Sequence, residues 1–235
     1  MKKSLILLVA LFIGLKASAL LVFESVGDMN HFWDTNGRYQ EKVLDVGNKI
    51  LDTNKINKRL TFTVVMDFDN VNADASPSRK NVNIYTGILP FIDNDDELAY
   101  LIGHETGHIL DYYDGFLKWF IVMHLNQKEY EYKADLVGID LMVKAGYNPI
   151  SAICVANKAL DESYWDDYFF WSHPRGSKRT LAMYKYIYVK YPWALKTDMV
   201  KNINYQNFLH YSQKDIDAFN QAEKLRENKR GSEDL

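Results

Sequence analysis

The sequence predicts an α+β fold in which a small antiparallel sheet packs beside the first of several consecutive helices. Three observations point there. Two short β-rich segments lie between residues 60 and 86, helical patterns follow from about residue 93, and an amphipathic stretch precedes both. No internal repeat, low-complexity tract or long linker divides the 235 residues.

Phe32 to Leu51 carries apolar residues at helical spacing (Val43, Leu44, Val46, Ile50, Leu51) and reads as the opening helix. Leu60 to Asp67, with Thr61, Thr63, Val64 and Val65, reads as a strand. Asp67 to Lys80 is polar and turn-rich. Asn81 to Thr86 then alternates, with Val82, Ile84 and Thr86 on one side and Asn83 and Tyr85 on the other, as a half-buried or edge strand does.

A helix is expected from Asp93, which can act as N-cap, to about Tyr112. Asp95, Asp96 and Glu97 put negative charge in its first turn, where the helix dipole favours it. Gln127 to Lys144 reads as a second helix, stopped by Gly146. Asn148-Pro149 opens a third, reaching about Leu160. Ser163 to Trp171 is dense in aromatics and Asp without a period, and a fourth helix is expected from near Pro174 to about Tyr191. From Lys196 the chain turns polar, giving a helical or disordered tail over 196–235.

At the start, Lys2 and Lys3 precede an apolar stretch from Ser4 to Leu15, and Ala17-Ser18-Ala19 offers small residues to a signal peptidase. This is the layout of a secretory signal over 1–19, leaving one folded domain over 20–195. An uncleaved anchor is the alternative, because Leu20 to Phe23 prolongs the apolar run past Lys16. Both readings put the folded part outside the cytoplasm, periplasmic or secreted, and membrane contact is expected only if the segment is kept. The formal charge of −3, which becomes −6 without Lys2, Lys3 and Lys16, gives no reason to expect a nucleic acid partner. The single cysteine, Cys154, lies in an apolar run and is expected to be a small core residue.

The chemistry-bearing segment is His104-Glu105-Thr106-Gly107-His108. Residues four apart on a helix share a face, so both imidazoles can reach one metal ion. Glu105, turned by about 100°, can reach a metal-bound water without ligating the metal. Two histidines on a surface helix are the bland alternative. Three features argue against it: the flanking apolar residues Leu98, Leu101, Ile102 and Ile109, the small residues Gly103 and Gly107, and a second acidic pair downstream. Glu131 and Asp135, four apart on the next helix, can supply a third ligand and an acceptor for a liganding histidine's other N–H. Such a set suits one Zn2+ per chain.

These residues resemble the CAAX-prenyl-protease-like gluzincin metallopeptidases, the group that includes the heat-shock peptidase HtpX. The resemblance spans roughly Asn72 to Tyr184. It rests on Asn72-Ala73-Asp74-Ala75, Ile84 to Leu89, the His104–His108 segment, Glu131 to Asp135, Ala145-Gly146-Tyr147-Asn148-Pro149, and His173-Pro174 with Arg179 at the family's spacing. It implies a zincin-like fold and a zinc endopeptidase acting on peptide or unfolded protein, with envelope protein quality control as a possible setting. It also implies Glu105 as catalytic base and His173 and Arg179 as donors to the oxyanion. Only 22 residues, 109 to 130, separate His108 from Glu131, fewer than in many family members. Their apolar part, Phe116 to Met123, is too short to span a bilayer. A non-catalytic metal-binding or chaperone-like protein on the same fold is the contrasting class. The full complement of catalytic residue types favours an enzyme.

Overall fold

The computed structural model describes residues 26–160 and 177–233. The chain falls into two compact units, 1–42 and 43–235. The described part of the first is helical throughout. The signal or anchor segment, the aromatic run 163–171 and His173 lie outside the described residues.

Helix α1 spans Val26–Thr53. In its second half Val43, Val46, Ile50 and Leu51 are buried, forming one face, and Gly47 leaves room for the ring of Phe62. Strands β1 (Thr61–Val65), β2 (Ala73–Ser76) and β3 (Asn81–Tyr85) form a sheet in the order β1-β3-β2. The sheet is mixed, which corrects the antiparallel expectation. β2 and β3 pair antiparallel, whereas β1 and β3 run parallel, Thr61 opposite Asn81 through Val65 opposite Tyr85. The cause is a double reversal. The chain leaving β1 crosses to the far side of β3's position, returns as β2, and reverses again through a tight turn at 77–80. Asn81–Tyr85 is therefore the central strand, and β1 and β2 are the edges. Phe62, Ala73, Val82 and Ile84 face the core. The opposite face is polar and hydrogen-bonded: Thr63 Oγ1 donates to Asn81 Oδ1 (3.1 Å), Asn83 Nδ2 to Asp74 Oδ1 (2.8 Å), and Tyr85 Oη to Asp74 Oδ2 (2.5 Å).

Helix α2, Asp95–Asp114, follows. Its N-cap is Asn94 rather than Asp93: the Asn94 side chain accepts from the Glu97 amide at 3.0 Å, while Glu97 Oε2 accepts from the Asp93 amide at 2.8 Å. This reciprocal arrangement satisfies amides that a helix start leaves without partners. From Leu98 to Ile109 every residue is buried. Helix α3, Phe116–Leu125, was not expected from the sequence, and α4 spans Gln127–Lys144 as expected. Gly146, at φ +85°, ends α4 in a conformation that favours glycine. Asn148 Oδ1 accepts from the Ile150 amide (3.0 Å) to start α5, Ile150–Leu160.

Helix α6 spans Ser177–Lys190, and α7 spans Ile203–Glu233. Most of the polar C-terminal stretch is thus one long helix, preceded by two short 3-10 turns, Pro192–Lys196 and Asp198–Lys201. Tyr205, Phe208 and Ile216 are buried, and the helix packs on α5 and α6. No helix among the described residues is long and apolar enough to cross a membrane.

Two contacts fix the frame around α2. Lys158 near the end of α5 donates to Glu97 Oε2 (2.7 Å), Asp93 Oδ2 (2.6 Å) and the Phe91 carbonyl (2.9 Å), pinning the start of α2. Further along, α2 and α4 meet backbone to backbone. A Cβ on Gly138 would lie 2.7 Å from the His104 amide nitrogen, and one on Gly103 would lie 2.9 Å from the Gly138 carbonyl oxygen. Neither backbone can yield without moving its helix. Gly138→Ala is therefore expected to destabilise the fold by about 1–3 kcal/mol, as overpacking does, and a urea melt with an unchanged midpoint would contradict this.

Cys154 is fully buried on α5, and burial, reinforced by the nearby Glu97 carboxylate, pushes its thiol up to about 12. The thiol thus stays neutral at pH 8, where only a thiolate would react. Iodoacetamide should leave it unmodified in the native protein and alkylate it once the chain is unfolded. Modification at equal rates in both states would show the site to be open.

Candidate metal centre

His104 and His108 project from one face of α2, and Glu131 faces them from α4. All three are buried, at 5%, 5% and 1% exposure. His104 Nε2 and His108 Nε2 are 3.2 Å apart; His104 Nε2 lies 3.4 Å from Glu131 Oε2, and His108 Nε2 lies 3.4 Å from Glu131 Oε1. Donors held at 2.0–2.1 Å in tetrahedral array about one zinc ion stand about 3.3–3.4 Å from each other. The triangle has that size. Two imidazole nitrogens and a carboxylate also match the donor chemistry of a catalytic zinc site, with a fourth position left for water.

Electrostatics agree with geometry. Burial, the largest influence on His104, opposes an imidazolium, yet hydrogen bonds with Asp135 and Glu131 outweigh it and push the pKa up to about 10 in the metal-free chain. The site is therefore arranged to hold positive charge away from water.

Asp135 lies one helical turn beyond Glu131 and approaches His104 Nδ1 at 3.0 Å through Oδ1. That contact leaves His104 Nε2 to the metal and fixes the ring. Asp135 is itself held firmly. Arg179 on α6 donates from Nε to Oδ2 (2.8 Å) and from Nη2 to Oδ1 (2.6 Å), and Tyr100 Oη donates to Oδ1 at 2.8 Å. Burial disfavours the Asp135 carboxylate, but the Arg179 charge, with the bonds from His104 and Arg179, outweighs it and holds the pKa down to about 2. Arg179 Nη1 also reaches Glu131 Oε2 at 3.2 Å. One guanidinium thus clamps both carboxylates that address the histidines.

Glu105 is 1% exposed on α2, between the two histidines in sequence. The structure thus brings together His104, His108, Glu131, Asp135 and Arg179. Sequence reasoning did not single out three further residues. Tyr100, one turn before His104, shares its face and its acceptor. Tyr130, the residue before Glu131, stacks on His108 with ring centroids 4.3 Å apart and planes at 28°. Trp119 on α3 donates from Nε1 to Tyr130 Oη at 3.1 Å. The four-residue spacing of Tyr100 and His104 was a usable signal; Trp119 had none.

Comparison with known proteins agrees with this geometry. Residues 37–113, which include His104 to His108, match the sequence model of peptidase family M48. The mitochondrial metalloendopeptidase OMA1 of Arabidopsis thaliana is 31% identical over 138 residues, a stretch that covers 47% of this chain and 28% of that protein. The chain spans less than a third of the length of that curated relative. Over residues 37–113 the chain is thus similar to metallopeptidases of family M48.

Proposed function

We propose that the protein is a zinc-dependent endopeptidase that binds one zinc through His104, His108 and Glu131 and cleaves peptide or unfolded protein. The observation that carries this reading is the donor triangle of 3.2, 3.4 and 3.4 Å beside the buried Glu105. A zinc bound there would polarise the scissile carbonyl and lower the pKa of its water to about 7. The rest falls to the chain's own groups. Glu105 takes the proton of the attacking water and returns it to the leaving amine. Asp135 holds His104 in the tautomer that leaves Nε2 free. The guanidinium geometry supports a positioning role for Arg179, orienting Glu131 and Asp135, in place of the oxyanion donation its motif implies. His173 remains the proposed oxyanion donor. The edges β1 and β2 offer backbone groups to an extended substrate, and β2 also packs against α2.

The apolar stretch Ser4 to Leu15 and Ala17-Ser18-Ala19 support export, with a role in envelope quality control as its setting. Native mass spectrometry tests both parts together. The expected species is a chain beginning at Leu20 with the mass of one zinc. It should cleave an unfolded protein, lose that activity to a chelator and regain it with zinc. A zinc-loaded chain that cleaves nothing would leave a metal-binding protein, and a chain beginning at Met1 would leave an anchored one.

A further inference from the structure

The two histidines have different neighbours behind their rings. His104 Nδ1 stands 3.0 Å from Asp135 Oδ1, and the His108 ring stacks on Tyr130 with centroids 4.3 Å apart and planes at 28°. Tyr130 is 9% exposed and stands in the first turn of α4, immediately before the proposed ligand Glu131. A helix's first turn lacks half its backbone hydrogen bonds and frays readily. Here it is tied down from outside. Trp119 Nε1 donates to Tyr130 Oη at 3.1 Å, and the indole is boxed by Tyr112 at the end of α2 (4.9 Å, 82°) and by Phe116 (5.6 Å). The short connection between the two ligand-bearing helices thus contains a helix whose inner face reaches the ring behind a ligand.

We propose that Tyr130, braced by Trp119, is a positioning residue for His108: stacking sets the plane of its imidazole and so the direction of Nε2 toward the metal. The inference rests on the metal reading given above. A wrongly turned imidazole keeps its basicity but loses overlap with the metal, so the effect belongs in affinity and ligand-field geometry. Residues that orient a ligand from behind typically change metal affinity by about 10–100-fold. Stacking is weaker than a charged hydrogen bond, which places the expected loss at the lower end.

The test uses the full-length protein, with zinc affinity from chelator competition and the visible absorption spectrum of the cobalt-loaded form. Tyr130→Leu, which removes the ring, should weaken zinc by about tenfold and alter the cobalt bands. Tyr130→Phe keeps the stack but loses the hydroxyl that Trp119 braces, so affinity should stay within about threefold of wild type while the cobalt bands shift as they do for Trp119→Phe. Residue 130 as mere core filling predicts the opposite pattern: lowered stability, with affinity and cobalt spectrum unchanged in the folded fraction. A folded Tyr130→Leu protein with wild-type affinity and spectrum overturns the inference. If that variant does not fold, Trp119→Phe decides. It keeps the stack but loses the indole donor, so altered cobalt bands support the brace and unaltered ones overturn it. A wild type that takes up neither metal removes the metal reading itself, which distinguishes that failure from this one.

Discussion

Glu105→Gln should leave zinc in place and abolish most proteolysis, lowering turnover by about 10²–10⁴-fold. The substitution keeps size and shape at a position only 1% exposed, so the helix around it has no reason to move. Glu105 is not among the three converging ligand groups, so metal content should match wild type. An amide cannot accept the water's proton at neutral pH, and that proton has to go somewhere before the peptide bond can break. Single-turnover cleavage of an unfolded protein, alongside zinc content, measures both halves. A variant that keeps a tenth or more of wild-type turnover would remove Glu105 from the base role.

Glu131→Ala should produce the complementary loss. Removing the carboxylate leaves two imidazoles, and zinc affinity is expected to fall by more than the roughly 10–100-fold that outer partners cost. The fold should survive, because Arg179 keeps its two bonds to Asp135 when its 3.2 Å contact with Glu131 is gone. A buried guanidinium with no carboxylate would be far more damaging. Chelator competition together with a urea melt separates the two effects. Unchanged zinc affinity would exclude Glu131 from the ligand set, and a collapsed melt would show the ion pair to be structural first.

Much of the site was legible because helix periodicity turns spacing directly into geometry. His104 and His108, and Glu131 and Asp135, are each four apart, and both pairs lie on faces that meet. Gly103 marked a close approach, although its partner Gly138 could be known only from the fold. The limits have physical causes. Strand direction depends on how the chain crosses between strands, and the alternation in Asn81 to Thr86 is the same for a central strand as for an edge. Helix α3 escaped notice because Phe116 to Leu125 is apolar nearly all round and so has no period. It leaves Phe116, Leu117, Phe120, Ile121 and Leu125 exposed. A spacing motif could suggest that Arg179 serves the site, but not which oxygens its five N–H groups would find. The tail read as either helical or disordered because its apolar residues are sparse, yet the buried Tyr205, Phe208 and Ile216 seat it as a helix.

The glycine contact between α2 and α4 also bears on mechanical stiffness. Interfaces made of side chains have give, since rotamers can hop and methyl groups can slide. Where Gly103 meets Gly138 there are no rotamers to hop, only main chain against main chain. The joint sits one residue from His104 and three from Asp135. Thermal motion therefore has little slack by which to spread the helix that brings two nitrogens from the helix that brings the oxygen. The cage holds its size as a machined fitting does, by bearing surfaces rather than by springs.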